Sequence, residues 1–177
     1  MRIIAGRLGG RNFASPHGQR THPMSDKARG GLFNALGDID GLTFLDAFAG
    51  TGALGYEALS RGAKSVLAIE LDKKAQTTIT KNIDELGLRR QMKLIRANCS
   101  GWSDNNTNEE FDIVIAAPPY DDLQPNVVEK MADHVKLRGL FVVDWPGKLE
   151  ALRIPNFEIV HQKQYGDAQL VFYRSIA

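Results

Sequence analysis

An acid and a glycine-rich turn set four residues apart are the first groups in this chain that could do chemistry. Asp46 closes the short apolar run Leu42-Thr43-Phe44-Leu45, and Gly50-x-Gly52-x-x-Gly55 follows it, with Phe48 between. Glycines in such a loop let backbone N–H groups approach a nucleotide, while an acid at the end of the next strand accepts the hydroxyls of its ribose. Glu70 stands 20 residues after Gly50, where that acid is needed. Taken alone, the pattern suits NAD as well as S-adenosylmethionine. Asp46 separates the two, because a carboxylate beside the loop repels a pyrophosphate and attracts a sulfonium and an ammonium. A turn that merely needs glycine is the plain alternative.

A second group is Ile115-Ala116-Ala117-Pro118-Pro119-Tyr120, at the end of another apolar run. Two prolines stop a strand and stiffen the loop behind it, in the crevice at the strands' carboxyl ends where open α/β sheets hold ligands. Tyr120 offers a face on which a base that has left its helix can stack. Asn98, just past the strand-like stretch 92–97, can bond an adenine edge through its amide, or serve only as a turn residue. A third feature is electrostatic. The first 25 residues hold Arg2, Arg7, Arg11 and Arg20, together with His17, His22 and several glycines, and no acid at all, although the whole chain carries only +1. That segregation describes an arm that tracks phosphates, or a solvated edge hairpin.

These groups need elements to position them. Residues 2–13 alternate loosely around Gly9-Gly10, which suggests a short hairpin, and 15–18 read as a turn. Ser25 is a good helix cap, followed by Ala28, Leu32, Ala35 and Leu36 at helical spacing as far as Gly37. Strands are expected at 42–45, 65–70, 92–97, 111–116 and 140–143. Helices are expected after the glycine loop as far as Arg61-Gly62, from the Asp72 cap to Gly87, and over 125–135, with a polar loop over 103–110. Alternating strands and helices argue for a parallel sheet covered on both faces. A terminal pair, 157–163 and 169–173 around Tyr165-Gly166-Asp167, makes the last strand antiparallel.

Length and composition bound the rest. The chain has 177 residues, enough for one domain, and 43% of them are hydrophobic. No apolar run is long enough to span a membrane, and Ile3-Ile4 before a glycine is too short for a secretory signal, so the expected compartment is the cytoplasm. One cysteine, Cys99, and four histidines without ligand spacing give no expectation of a metal site. A monomer is the default expectation.

The motifs Asp46-x-Phe48-x-Gly50-x-Gly52, Glu70 and the proline-proline-tyrosine loop resemble amino-group methyltransferases of nucleic acids. The opening Arg2-Ile3-Ile4-Ala5-Gly6, the stretch Ser25-Asp26-Lys27-Ala28-Arg29 with Leu32-Phe33-Asn34, and the Tyr165-Gly166-Asp167 turn are similar to the RsmD-type 16S ribosomal RNA guanine-N2 methyltransferases. The resemblance runs over nearly the whole chain. It implies a Rossmann-like, class I methyltransferase fold in one domain over 1–177, with seven strands, mostly parallel, and a basic RNA-binding extension over 1–24. It also implies S-adenosylmethionine as methyl donor, held by Asp46, Phe48, Gly50, Gly52, Glu70 and Asn98. The acceptor would be a guanine of 16S ribosomal RNA, free or in an assembling small subunit, met by Arg2, Arg7, Arg11, Arg20 and Arg29 and by the loop at 117–120.

Two positions depart from the family. Its catalytic loop opens with Asp or Asn, and here stands Ala117; His22-Pro23-Met24 replaces a usual arginine, proline and threonine. A guanine amine is a weak nucleophile, and a side-chain oxygen with a backbone carbonyl normally holds its hydrogens. Losing one positioned partner commonly costs ~10² to 10³ in rate. The expectation is therefore a weakened methyltransferase. A non-catalytic RNA-binding protein with a cofactor pocket and an adenine-N6 methyltransferase are the other readings, and an NAD-dependent oxidoreductase is the least favoured.

Overall fold

The computed structural model describes residues 1–16 and 23–177. His17, Gly18, Arg20 and His22, and with them part of the expected turn and of the basic arm, lie outside the described residues. The first helix, α1 (Asp26–Leu36), starts where the Ser25 side chain accepts the Ala28 amide and stops at Gly37, whose φ of 73° is a conformation that suits glycine. Then come β1 (Thr43–Ala47), α2 (Ala53–Ser60), β2 (Ser65–Glu70), α3 (Lys73–Glu85), β3 (Met92–Arg96), α4 (Cys99–Asn105) and β4 (Phe111–Ala116). α5 (Pro125–Met131), β5 (Val135–Pro146), β6 (Phe157–Tyr165) and β7 (Ala168–Ser175) complete the chain.

One seven-stranded sheet runs in the order β3-β2-β1-β4-β5-β7-β6. β1 to β5 are parallel, and β7 runs antiparallel to both β5 and β6. Each face of the sheet has its own apolar layer. One gathers Leu32, Phe33, Phe44, Leu59 and Ile79 with Ile3, Leu8 and Phe13 of the arm; the other gathers Leu45, Trp102, Val128, Met131, Phe141 and Tyr173. The strand order reverses between β1 and β4, so β1 and β4 part on opposite sides of a crevice at their carboxyl ends. Among the described residues no helix is long and apolar enough to cross a membrane.

Tertiary packing overrode local pattern in two places. Residues 103–105, expected in a loop, belong to α4, because Asn98 caps that helix and Cys99 and Trp102 bury one side of it. The helix expected to reach Val135 ends earlier: Val135 pairs with Phe111 and opens a strand of 12 residues. The N-terminal hairpin forms: Arg2 and Asn12 make an antiparallel bridge, the Ile3 amide donates to the Arg11 carbonyl at 2.9 Å and the Phe13 amide to the Met1 carbonyl at 3.0 Å. Beyond that pairing, Ile4 and Ala5 donate to the Glu57 carboxylate at 2.9 and 3.0 Å. A fully buried acid in an all-buried helix must find such partners, and the arm supplies them.

Candidate active site

The turn between β1 and α2 forms the floor of the crevice. Phe48, Gly50 and Gly52 all have positive φ, of 61°, 58° and 82°. For Phe48 that conformation costs on the order of 1 to 3 kcal/mol, and its side chain is held by packing beneath α4. At Gly52 a β-carbon would run into the Tyr56 hydroxyl, so the loop tolerates no side chain there. Glu70, at the end of β2, clamps the turn: its carboxylate accepts the amide N–H of Gly50 at 2.6 Å and that of Asp72 at 2.8 Å.

Asp46 lies beneath this turn with 2% of its surface exposed. Among the described residues neither carboxylate oxygen has a hydrogen-bond partner. Burial, and then the nearby Glu70 charge, push its pKa up to about 8. A buried acid without a partner is costly unless something positive is brought to it. The Tyr56 hydroxyl is similarly buried and has no partner among the described residues, and the Asn82 amide exchanges two hydrogen bonds with the Ala14 backbone. Asn98 caps α4, its Oδ1 accepting the Gly101 amide at 2.6 Å, which leaves Nδ2 to face outward. Cys99 is buried and pushed up to about 12, so its thiol stays neutral.

Across the crevice, β4 ends at Ala116 and the chain leaves the sheet through Ala117, Pro118 and Pro119 to Tyr120. Tyr120 is 40% exposed, and its hydroxyl donates to Asp144 Oδ1 at 2.5 Å and to the Trp145 carbonyl at 3.1 Å. The ring is thus tethered to β5 with a face open to the crevice. Asp144 was not singled out by the sequence reading. The signal was nonetheless available, since an acid at the carboxyl end of a buried strand is what marked Asp46 and Glu70.

The arginines fall into separate places. Arg7 donates to Gln91 Oε1 at 3.1 Å and Arg11 to the Glu85 carbonyl at 3.0 Å, both beside the connection from α3 to β3. That connection is at the strands' amino ends, opposite the crevice. Arg2 faces Asp26 at 3.5 Å and keeps its exposure. Arg29 departs from the expected contact with RNA. It is 1% exposed, donates to the Arg2 carbonyl and to Asp26, and forms an ion pair with Glu57 at 3.5 Å, so it anchors the arm from inside. A cleft of about 580 Å³ opens under residues 147–154 against β6 and β7, and neither the glycine turn nor the Tyr120 loop lines it.

A family model described as "Conserved hypothetical protein 95" matches residues 1–174. The Ribosomal RNA small subunit methyltransferase D of Haemophilus influenzae is 31% identical over 98% of this chain and 92% of that protein. The protein of the same name from Buchnera aphidicola is 37% identical over 67% of this chain and 62% of its own length. Among solved structures, the Escherichia coli protein yhhF superposes with a TM-score of 0.86 at 29% identity, covering 100% of this chain and 98% of that one.

Proposed function

The chain belongs to the RsmD-type methyltransferase family, and from that premise we propose that it transfers a methyl group from S-adenosylmethionine to the exocyclic N2 amine of a guanine in 16S ribosomal RNA. The observation that carries this reading is Asp46, a buried carboxylate with no partner for either oxygen among the described residues, beneath a turn that admits no side chain at Gly52. Such a group fits a cationic ligand and opposes a pyrophosphate. S-Adenosylmethionine supplies an electrophilic methyl group on a positively charged sulfur when it is bound.

In this reading Asp46 meets the positive end of the cofactor. Glu70 keeps the glycine turn closed through Gly50 while its remaining lone pairs accept ribose hydroxyls, and Asn98 Nδ2 meets the adenine. On the other wall Pro118 and Pro119 hold the loop rigid, and the Tyr120 ring carries the target base. The backbone carbonyls of the loop accept the hydrogens of the amine. Ala117 brings no side-chain oxygen, so transfer is slower than Asp or Asn at this position would allow.

The first 24 residues act as an RNA-binding extension, with Arg2, Arg7 and Arg11 on phosphates of 16S ribosomal RNA, free or in an assembling small subunit. A monomer carries out the reaction in the cytoplasm. Ala117 also favours a second reading, a non-catalytic RNA-binding protein that keeps its cofactor pocket. One experiment separates these: transfer of labelled methyl to small-subunit RNA from cells lacking the modification, with nucleoside analysis of the product. N2-Methylguanine supports the proposal and N6-methyladenine redirects it. No transfer despite bound cofactor and RNA favours the second reading.

A further inference from the structure

We propose that Asp144 supplies, from the neighbouring strand, the hydrogen-bond acceptor that position 117 lacks. The inference rests on the methyltransferase reading above. Ala116 of β4 is paired with Val143 of β5, so the next residue on each chain, Ala117 and Asp144, stand level with each other at the mouth of the crevice. Adjacent strands lie about 4.8 Å apart, within the reach of an aspartate side chain. Asp144 therefore carries its carboxylate toward the space that a longer side chain at position 117 would occupy.

The carboxylate is held and half free. Tyr120 donates its hydroxyl to Oδ1, and among the described residues no group donates to Oδ2. Asp144 is only partly buried, so its carboxylate is not sealed away from an incoming donor. The same bond fixes the Tyr120 ring and aims the carboxylate, so a base stacked on that ring lies beside the free oxygen. Burial holds the acid above its ordinary range despite the opposing effect of the Tyr120 bond, which makes it a better proton acceptor than an exposed aspartate.

The chemistry balances. As the amine nitrogen bonds to the methyl carbon, the carbon–sulfur bond opens with its electron pair going to sulfur, and the nitrogen sheds one proton to the Asp144 carboxylate. Before that, Oδ2 accepts one amine hydrogen and a loop carbonyl the other, which turns the nitrogen lone pair toward the methyl group.

The test is single-turnover methyl transfer to small subunits from cells lacking the modification, with S-adenosylhomocysteine and RNA affinities measured alongside. Asp144→Ala is expected to slow transfer by ~10²-fold or more while both affinities stay within about threefold. In an Ala117→Asn background, where the amide oxygen serves instead, the same change should cost less than about tenfold. Tyr120→Phe keeps the ring and removes the bond, and should cost less than Asp144→Ala. Asp144→Ser repeats the test should the alanine variant lose cofactor binding. An Asp144→Ala chain as fast as the unaltered one overturns the inference, and so does an equal loss in both backgrounds. Transfer by Ala117→Asn alone, with none from the unaltered chain, also overturns it yet leaves the methyltransferase reading standing. If neither transfers while both ligands bind, both fall.

Discussion

Glu70 Oε1 accepts the Gly50 amide at 2.6 Å, tying the end of β2 to the turn that leaves β1. The bond shapes the loop and also sets a second carboxylate near Asp46, whose pKa burial and then this charge raise to about 8. In the free chain Asp46 therefore keeps its proton at neutral pH. Ionising it costs free energy wherever the pH lies between the ordinary carboxylate value and about 8, and a bound cation removes that cost.

The sign of the consequence is definite. Affinity for S-adenosylhomocysteine, whose ammonium is positive, should rise with pH below about 8, by at most about tenfold per unit, and level off above that point. Binding below that point should release a proton, visible by calorimetry in buffers of different ionisation heat. Asp46→Asn should flatten the profile. A flat profile in the unaltered chain would remove Asp46 from the cofactor site.

Position 117 should accept improvement. Ala117→Asn and Ala117→Asp are each expected to raise single-turnover transfer, by less than the ~10²-fold of a sole positioned acceptor because Asp144 already fills part of that role. With Asp144 at the adjacent strand position, a second carboxylate would force one of the pair toward its protonated form. Asparagine should therefore equal or exceed aspartate. An aspartate variant that clearly outpaces asparagine would show that charge, rather than an acceptor oxygen, is what the loop misses.

Glu57 is the anchor of the N-terminal arm. It is fully buried, accepts the Ile4 and Ala5 amides, and pairs with Arg61 at 2.8 Å and Arg29 at 3.5 Å. Glu57→Ala would leave the buried Arg29 guanidinium with only the half-exposed Asp26 as a carboxylate partner, and should cost ~3 kcal/mol in denaturant unfolding. Limited proteolysis should show the arm released. A loss under about 1 kcal/mol would place this cluster with surface pairs of little weight.

Arg7 and Arg11 remain exposed although each makes one internal bond. Their replacement by alanine should weaken RNA binding, reduce the salt slope by up to about 0.9 per lost duplex phosphate contact and about 0.7 on single strands, and spare cofactor affinity. An unchanged slope would leave these side chains as braces between the arm and the α3–β3 connection.

Much of this molecule was legible in its sequence because the relevant signals are local. Ser25 and Asp72 cap their helices as side chains reaching three residues along the chain. The glycine turn needs positive φ at Gly50 and Gly52, and Asp46 and Glu70 stand out as acids ending buried strands. The terminal antiparallel pair was marked by its own turn. Local spacing also brought out the loop at 117–120.

What only the tertiary structure decided depends on groups far apart in the chain. Arg29 reads as a surface cation, since nothing within its own helix supplies Glu57 or the Arg2 carbonyl, and those partners make burial of its charge affordable. The docking of the N-terminal hairpin on α2 was equally unreadable, since it depends on Glu57, whose buried carboxylate accepts the Ile4 and Ala5 amides. Val135 left its helix for the ladder because Phe111 stood beside it. Asp144 acquired its meaning from strand order, since only the pairing of β4 with β5 sets it beside Ala117 and within reach of Tyr120. Spacing along a chain determines which backbone conformations are available, whereas the partner of a buried charge is chosen by the sheet that brings distant residues together.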